Sequence, residues 1–193
     1  SNDWLVLSNT YEVLYSYYYN NSEFEKAEEA QQNVLNILRN HDVDAWFSAG
    51  LDYCDILEQQ KKYSQALSFC INLSKYKDKL KKTKGYFVYM NDVGRLETKL
   101  RNYNEAEKLF LKVLDSEKSK TKIDTFHLYY IFQNLQSLYL KQSAYKKAFE
   151  TNVELSKMRM WLYKKRQTID SKIQMTQLKA NLDLEKKEVE IAL

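Results

Sequence analysis

The stretch GRLETKLRNYNEAEKLF, Gly94 to Phe110, decides the fold. Gly94 is a small residue on one helical run, Leu100–Asn102 reads as a turn, and Tyr103-x-x-Ala106-x-x-x-Phe110 opens a second run. Two antiparallel helices approach closely only where a small side chain faces the partner, so Gly94 and Ala106 mark the closest approach. Tyr103 closes the turn as an apolar wedge. The pattern recurs in Phe24-Glu-Lys-Ala27, Tyr63-Ser-Gln-Ala66 and Tyr145-Lys-Lys-Ala148, and the four alanines are separated by 39, 40 and 42 residues. A fixed period of that size predicts an α-solenoid.

Working outward, each motif opens a helix B, and an amphipathic helix A precedes it. The A helices are expected over 3–20, 42–60, 84–100 and 123–142, and the B helices over 23–39, 63–80, 103–117 and from 145 onward. Ser22-x-x-Glu25 and Asn102-x-x-Glu105 fit N-cap signatures of the first and third B helices. Cys54 and Gly94 are the small partners of the alanines on the A helices, and Tyr15 and Gln136 hold that place in units one and four, where they fit poorly. Terminal repeats are often atypical because one side of each lacks a neighbour. Composition agrees with an all-α chain: of 193 residues none is proline and three are glycine. The sixteen tyrosines suit helix interfaces, where the ring is buried and the hydroxyl reaches water.

These units resemble the tetratricopeptide repeat. Tyr103, Ala106 and Phe110 fall on the family's helix B positions and Gly94 on its small helix A position, while Tyr18, Leu57 and Tyr139 occupy the large position near the end of helix A. Departures are Gln31, Cys70 and Asn152 in place of phenylalanine, the missing proline, and a period longer than the usual ~34 residues. The resemblance implies an all-α, TPR-like α-solenoid of about four helix-turn-helix units over 1–160, with repeat packing carried by Ala27, Ala66, Gly94, Ala106, Phe110 and Ala148.

Residues 161–193 read as a C-terminal helix or coiled-coil connector into which the last unit's helix B is expected to run straight on. Met175, Leu178, Leu182, Val189 and Ala192 recur at coiled-coil spacing, with Glu185 interrupting the seam. A parallel homodimer through this helix and a capping helix packed on the last repeat are both open readings. The segment Gln177–Leu193 also resembles the helical connector that follows tetratricopeptide arrays in regulators of Bacteroidetes-type bacteria, through Lys187-Glu188-Val189-Glu190-Ile191-Ala192-Leu193. That resemblance implies a membrane helix beyond Leu193, then a histidine-kinase or helix-turn-helix output. It places the repeats on the periplasmic face, or in the cytoplasm if a DNA-binding domain follows directly. Ser1-Asn2 reads as what remains after removal of a tag, so a longer parent protein is expected.

Little in the chain points to catalysis. Glycines at 50, 85 and 94 cannot form a phosphate-binding loop. His41 and His127 lie in different units and no paired Cys-x-x-Cys or His-Glu-x-x-His exists, so no metal site is expected. His127 reads as a packed histidine and His41 as part of a helix terminus. Cys54 and Cys70 sit on the two helices of one unit; buried thiols are the favoured reading, with a disulfide as the alternative. Pairs such as Asp52/Asp55 read as helix-surface charges. No catalytic residue, no cofactor and no enzyme activity are expected. The net charge of +4 is mild, and the lysine-rich stretches 75–84 and 116–122 carry no aromatic residue apart from Tyr76, so they read as solvated turns and no nucleic acid is expected on this segment.

The partner expected is a protein or peptide. Mapping the family's groove-facing positions gives Glu12, Ser16 and Tyr19, then Leu51, Asp55 and Glu58, then Asn91, Arg95 and Lys99, then Gln133, Ser137 and Lys141. Charge runs from acidic to basic along that line, which would fix the direction of an extended peptide. Glu12 and Asp55 stand where a two-carboxylate clamp wants basic residues, which argues against that clamp. The function expected is a non-catalytic binding module, the sensor or interaction segment of a bacterial two-component or transcriptional regulator. The alternative is a stand-alone scaffold with a capping C-terminal helix.

Overall fold

The computed structural model describes residues 3–73, 75, 84–121 and 123–192, and the side chains of all of these except 84–85 and 181–192. Eight helices run in order among them: α1 Asp3–Asn20, α2 Phe24–Leu38, α3 Val43–Gln59, α4 Tyr63–Leu73, α5 Lys84–Lys99, α6 Tyr103–Lys118, α7 Thr125–Lys141 and α8 Tyr145–Ala192. They form four A–B hairpins, and each B helix also packs on the A helix that follows it. The part of the second B helix expected over 74–80 lies outside the described residues, Lys75 apart.

The alanine period sets the packing. Ala27, Ala66 and Ala106 are fully buried and Ala148 nearly so. Counting from each alanine, the residue twelve before it on helix A faces the residue four after it on helix B. In unit three the pair is Gly94 and Phe110. A Cβ at Gly94 would lie 2.5 Å from Phe110 Cε1, so the ring occupies the space that glycine leaves. In unit two the pair is Cys54 and Cys70, which the structure joins as a disulfide with Cα atoms 6.5 Å apart. This corrects the expectation of two buried thiols: the closest-approach register aims both sulfurs into one gap, within bridging range. In unit four Gln136 Nε2 donates to Asn152 Oδ1 at 3.0 Å. In unit one the partner of Tyr15 is Gln31, which is buried and donates across to the Ala49 carbonyl of the next unit at 2.9 Å.

The A–B turns are alike. Ser22, Lys61, Arg101 and Ser143, each five residues before the alanine, have φ of 60°, 62°, 67° and 57°. The following N–H closes back on helix A: Glu23 to Tyr18, Lys62 to Leu57, Asn102 to Glu97 and Ala144 to Tyr139, at 2.8–2.9 Å. This is the left-handed helix ending that usually carries glycine. It corrects the expected caps. Ser22 holds the left-handed position instead of capping α2, and Asn102 makes no side-chain cap, its amide going to Glu97 at 2.7 Å. The side-chain caps are Asp42 on α3 and Asp124 on α7, each accepting two backbone N–H groups of the first turn. Because a Cβ strains the left-handed region, Arg101→Gly is expected to stabilise the chain by about 0.5–1 kcal/mol, read as a higher urea midpoint with unchanged slope.

One buried network ties units three and four. Glu117, at 1% exposure, takes Lys120 Nζ at 2.6 Å and His127 Nδ1 at 3.2 Å. The His127 ring stacks on Phe87 with centroids 3.7 Å apart, so it is packed, as expected. His41 stacks on Trp4 at 4.9 Å.

The last helix is continuous for 48 residues, about 70 Å. Ala148, Thr151 and Leu155 are buried and Met158 and Leu162 partly so, while 163–180 are exposed throughout. Met175 and Leu178 of the expected seam are exposed; the side chains of Leu182, Glu185, Val189 and Ala192 lie outside the described residues.

Candidate functional site

The A helices adjoin along one side of the solenoid, and polar side chains link them in a ladder. Tyr19 of α1 donates its hydroxyl to Asp55 of α3. From α5, Arg95 reaches Glu58 at 2.8 Å and Asp55 at 3.3 Å on α3, and Asp92 at 3.3 Å on its own helix. Asn134 of α7 donates to Asn91 of α5 at 2.7 Å. Period explains part of the meeting: Tyr19–Asp55 and Glu58–Arg95 repeat one relation, a residue eight before its unit's alanine meeting one eleven before the next unit's alanine.

The charges are unequal. Asp55, Glu58 and Asp92 gather around a single guanidinium, and Asp52 adds its charge to the field at Asp92. Asp92 is 8% exposed; burial pushes its carboxyl up to about 7, Asp55, Glu58 and Asp52 push the same way, and Arg95 only partly opposes them. Burial alone would lower the Arg95 pKa, but Asp92, Glu58 and Asp55 outweigh it and hold the cation charged. Burial and then the hydrogen bond to Asp55 raise the Tyr19 phenol above its ordinary value.

Beyond the ladder, α3, α5 and α7 enclose a cavity of about 300 Å³. Its lining includes Glu58, Arg95, Thr98, Lys99, Ser137 and Lys141. Lys99 and Lys141 are exposed, and neither forms an ion pair among the described residues. Lys99 Nζ lies 5.7 Å from the Tyr63 ring centroid.

The structure thus gathers Tyr19, Asp55, Glu58 and Arg95 in one network, and Glu58, Arg95, Lys99 and Lys141 around one cavity. Glu12 stands exposed on α1, outside both. Gln133 is half-buried, its amide 3.1 Å from the Tyr129 hydroxyl. Asn91 is buried as a strut to Asn134, and Leu51 belongs to the core. Sequence reasoning missed Asp92, Thr98 and Asn134. Asp55, expected both as a helix-surface charge and as a groove position, holds both Tyr19 and Arg95. The signal was the i, i+3 pair Asp92/Arg95 one period after Asp52/Asp55. A second cavity of about 320 Å³, lined by Gln32, Asn36, Arg39, Trp46, Tyr53 and Phe69, contains none of the expected groove residues. No cluster of three His, Cys, Asp or Glu side chains placed to hold a metal occurs among the described residues.

No protein-family profile matches the chain, and no curated protein matches it. Solved structures share its fold. BtubC (BKLC) from P. vanneervenii superposes with a TM-score of 0.71 at 18% identity, covering 84% of this chain and 67% of that one. A single-substitution variant of a kinesin light chain-like protein from Podosopora anserina, built of nearly identical TPR-like repeats, gives a TM-score of 0.69 at 11% identity, over 81% of this chain and 76% of that one. A further structure of that Podosopora anserina protein gives 0.64 at 13% identity, over 79% and 74%. The fold is therefore a TPR-like α-solenoid with a long C-terminal helix.

Proposed function

We propose that this chain is a non-catalytic protein- or peptide-binding module whose A-helix face receives an extended segment, with an acidic group seated between Lys99 and Lys141. One observation carries the reading: a cavity of about 300 Å³ opens where the acidic ladder ends, and its two lysines form no ion pair among the described residues. The expected polarity is local. Asp55 and Glu58 are already engaged by Arg95, so the free positive charge lies toward α7 and guides only the acidic end of the ligand. Panning a displayed library of unstructured peptides supplies the ligand. Lys99→Glu and Lys141→Glu are expected to weaken the selected peptides roughly tenfold each, with affinity falling as salt rises. Unchanged affinity in both variants removes the cavity from the site.

Within that role the chain serves as the sensor or interaction segment of a bacterial two-component or transcriptional regulator, units 1–160 binding and 161–193 connecting to an output. The unbroken α8, exposed from 163 to 180, supports a connector over a cap packed on the last repeat. Reading the coding sequence past Leu193 tests this. An apolar run of about 20 residues followed by a kinase or helix-turn-helix pattern supports it, and an immediate stop codon leaves a stand-alone scaffold.

A further inference from the structure

The outer face of helix B can be compared between units by register from each alanine. The residues one before and two after it are Lys26 and Glu29 in α2, Glu105 and Lys108 in α6, and Lys147 and Glu150 in α8, all exposed. Each is an opposite-charge pair at i, i+3 spacing, which suits a helix face in water. In α4 the same registers hold Gln65 and Ser68. Alone among the eight described helices, α4 carries no charged side chain, in a chain of which 29% is charged. Its outer face is nonetheless exposed at Gln65, Ser68 and Asn72, and Ile71 is 52% exposed. An exposed face stripped of the charges that its sister helices keep has the composition of a contact surface.

That face borders two cavities. The one of about 320 Å³ lies between α2, α3 and α4, and another of about 400 Å³ lies between α3 and α4. Both are lined by Tyr53 and Phe69, whose rings pack edge to face with centroids 4.8 Å apart, so the two adjoin across this pair. Tyr53 is fixed in place: its hydroxyl accepts from Gln32 at 3.0 Å and donates to Glu28 at 3.1 Å. Trp46 extends the aromatic floor into the first cavity. Around the floor stand Asn36 on α2 and Gln65, Ser68 and Asn72 on α4, whose side chains make no hydrogen bond among the described residues. The one charged side chain lining either cavity among the described residues is Arg39, at the end of α2, and it forms no ion pair among them.

We propose that these two cavities form a second peptide-binding site on the B-helix side of unit two, taking an extended segment that sets apolar side chains on either side of the Tyr53–Phe69 pair and one acidic residue at Arg39. An aromatic floor favours apolar side chains. Each free side-chain amide offers one acceptor and two donors, which match the C=O and N–H of a peptide unit. An extended segment has those groups to give, whereas a helix has spent its own. Walls without charge leave Arg39 to set the direction of the segment. The site shares no lining residue with the cavity between α3, α5 and α7 and does not rest on the role proposed for that cavity.

The probe is a displayed library of unstructured peptides, uncharged apart from a single Asp or Glu, panned on the whole chain; selected peptides are then synthesised with blocked ends and titrated. Ser68→Arg puts a long cation into the groove and Arg39→Glu reverses its one charge. Both positions are exposed, so the thermal unfolding curve is expected to stay in place. Each substitution is expected to weaken the selected peptides roughly tenfold or more, while Lys141→Glu leaves their affinity unchanged. A library that yields no peptide binding more tightly than about 1 mM overturns the proposal. So do peptides weakened by Lys141→Glu but not by Ser68→Arg, which sit in the cavity between α3, α5 and α7. Neutral oligosaccharides that bind more tightly than any selected peptide, with binding lost in Ser68→Arg, also overturn it, since the floor and amides then serve a sugar.

Discussion

Phe110→Ala is expected to remove about 3–5 kcal/mol of stability, a large part of the roughly 5–15 kcal/mol typical of a domain. The ring is 1% exposed, packs into the gap opposite Gly94 and also lines the cavity between α3, α5 and α7. Truncation therefore loses apolar burial and leaves a void that the backbone contacts of two neighbouring hairpins keep from collapsing. The reciprocal change, Gly94→Ala, is expected to cost about 1–3 kcal/mol by overpacking, since its Cβ would meet Phe110 side-chain atoms at 2.5–3.0 Å. Combining Gly94→Ala with Phe110→Leu should cost clearly less than the sum of the two single changes, because the smaller side chain frees the space the new methyl needs. Chemical denaturation of the four proteins in the cycle measures the coupling; strict additivity would show that the two residues do not share the gap.

The second large effect is on pH. Asp92 has a folded pKa near 7 against an ordinary value of 3.8, so between those values the folded chain holds a proton that the unfolded chain releases. The contribution of this carboxyl is full below about pH 4 and is lost as pH rises through 7, at up to about 1.4 kcal/mol per pH unit in mid-window. Glu28 and Glu107 act with the opposite sign. Burial at Glu28 is outweighed by Lys62, Gln60 and Tyr53 together, and Lys147 leads at Glu107, so both carboxyls are lowered and their stability disappears only on acidification. Stability is therefore expected to peak on the acid side of neutrality. Asp92→Asn should flatten the slope between roughly pH 4.5 and 7.5, the titration window set by burial. Arg95→Ala should cost about 2 kcal/mol at roughly pH 8, discounted because the guanidinium is one-third exposed, and visibly less at about pH 5.5 where Asp92 carries its proton. Equal losses at both pH values would mean that Arg95 packs without balancing Asp92.

Much of this was readable from the chain. The alanine period set the number of hairpins and the helix bounds to within a few residues, because close helix approach admits only small side chains and leaves that demand visible in one dimension. The turns were less legible. Their left-handed residues are serine, lysine and arginine, which advertise nothing, and the serine and asparagine nearby imitate caps they do not make. Asp42 and Asp124, the working caps, open helices without a glutamate or glutamine three residues on, so neither shows the capping-box pattern. The site was legible as a set of registers but not as a network: Asp55, Glu58 and Arg95 sit on different helices, and only the lateral stacking of α3 on α5 turns an acidic half and a basic half into one internally paired cluster. The Cys54–Cys70 bond belongs with these, since spacing alone cannot say whether two facing thiols are joined.

The four inter-helix gaps at the closest approach have a consequence for how the chain finds its fold. Each is filled by a different chemistry: a buried Gln31 that reaches the Ala49 carbonyl, Cys54 bonded to Cys70, Phe110 against Gly94, and Gln136 paired with Asn152. A near-repetitive sequence invites its segments to exchange partners, since every helix B has much the same alanine to offer every helix A. Here the match is checked a second time, one turn further on. Phe110 set against Cys54 would clash, and Asn152 set against Gly94 would leave an amide dry in an empty slot. The array reads as a row of locks cut to different keys, so that hairpins of similar outline close only on the neighbour they were made with.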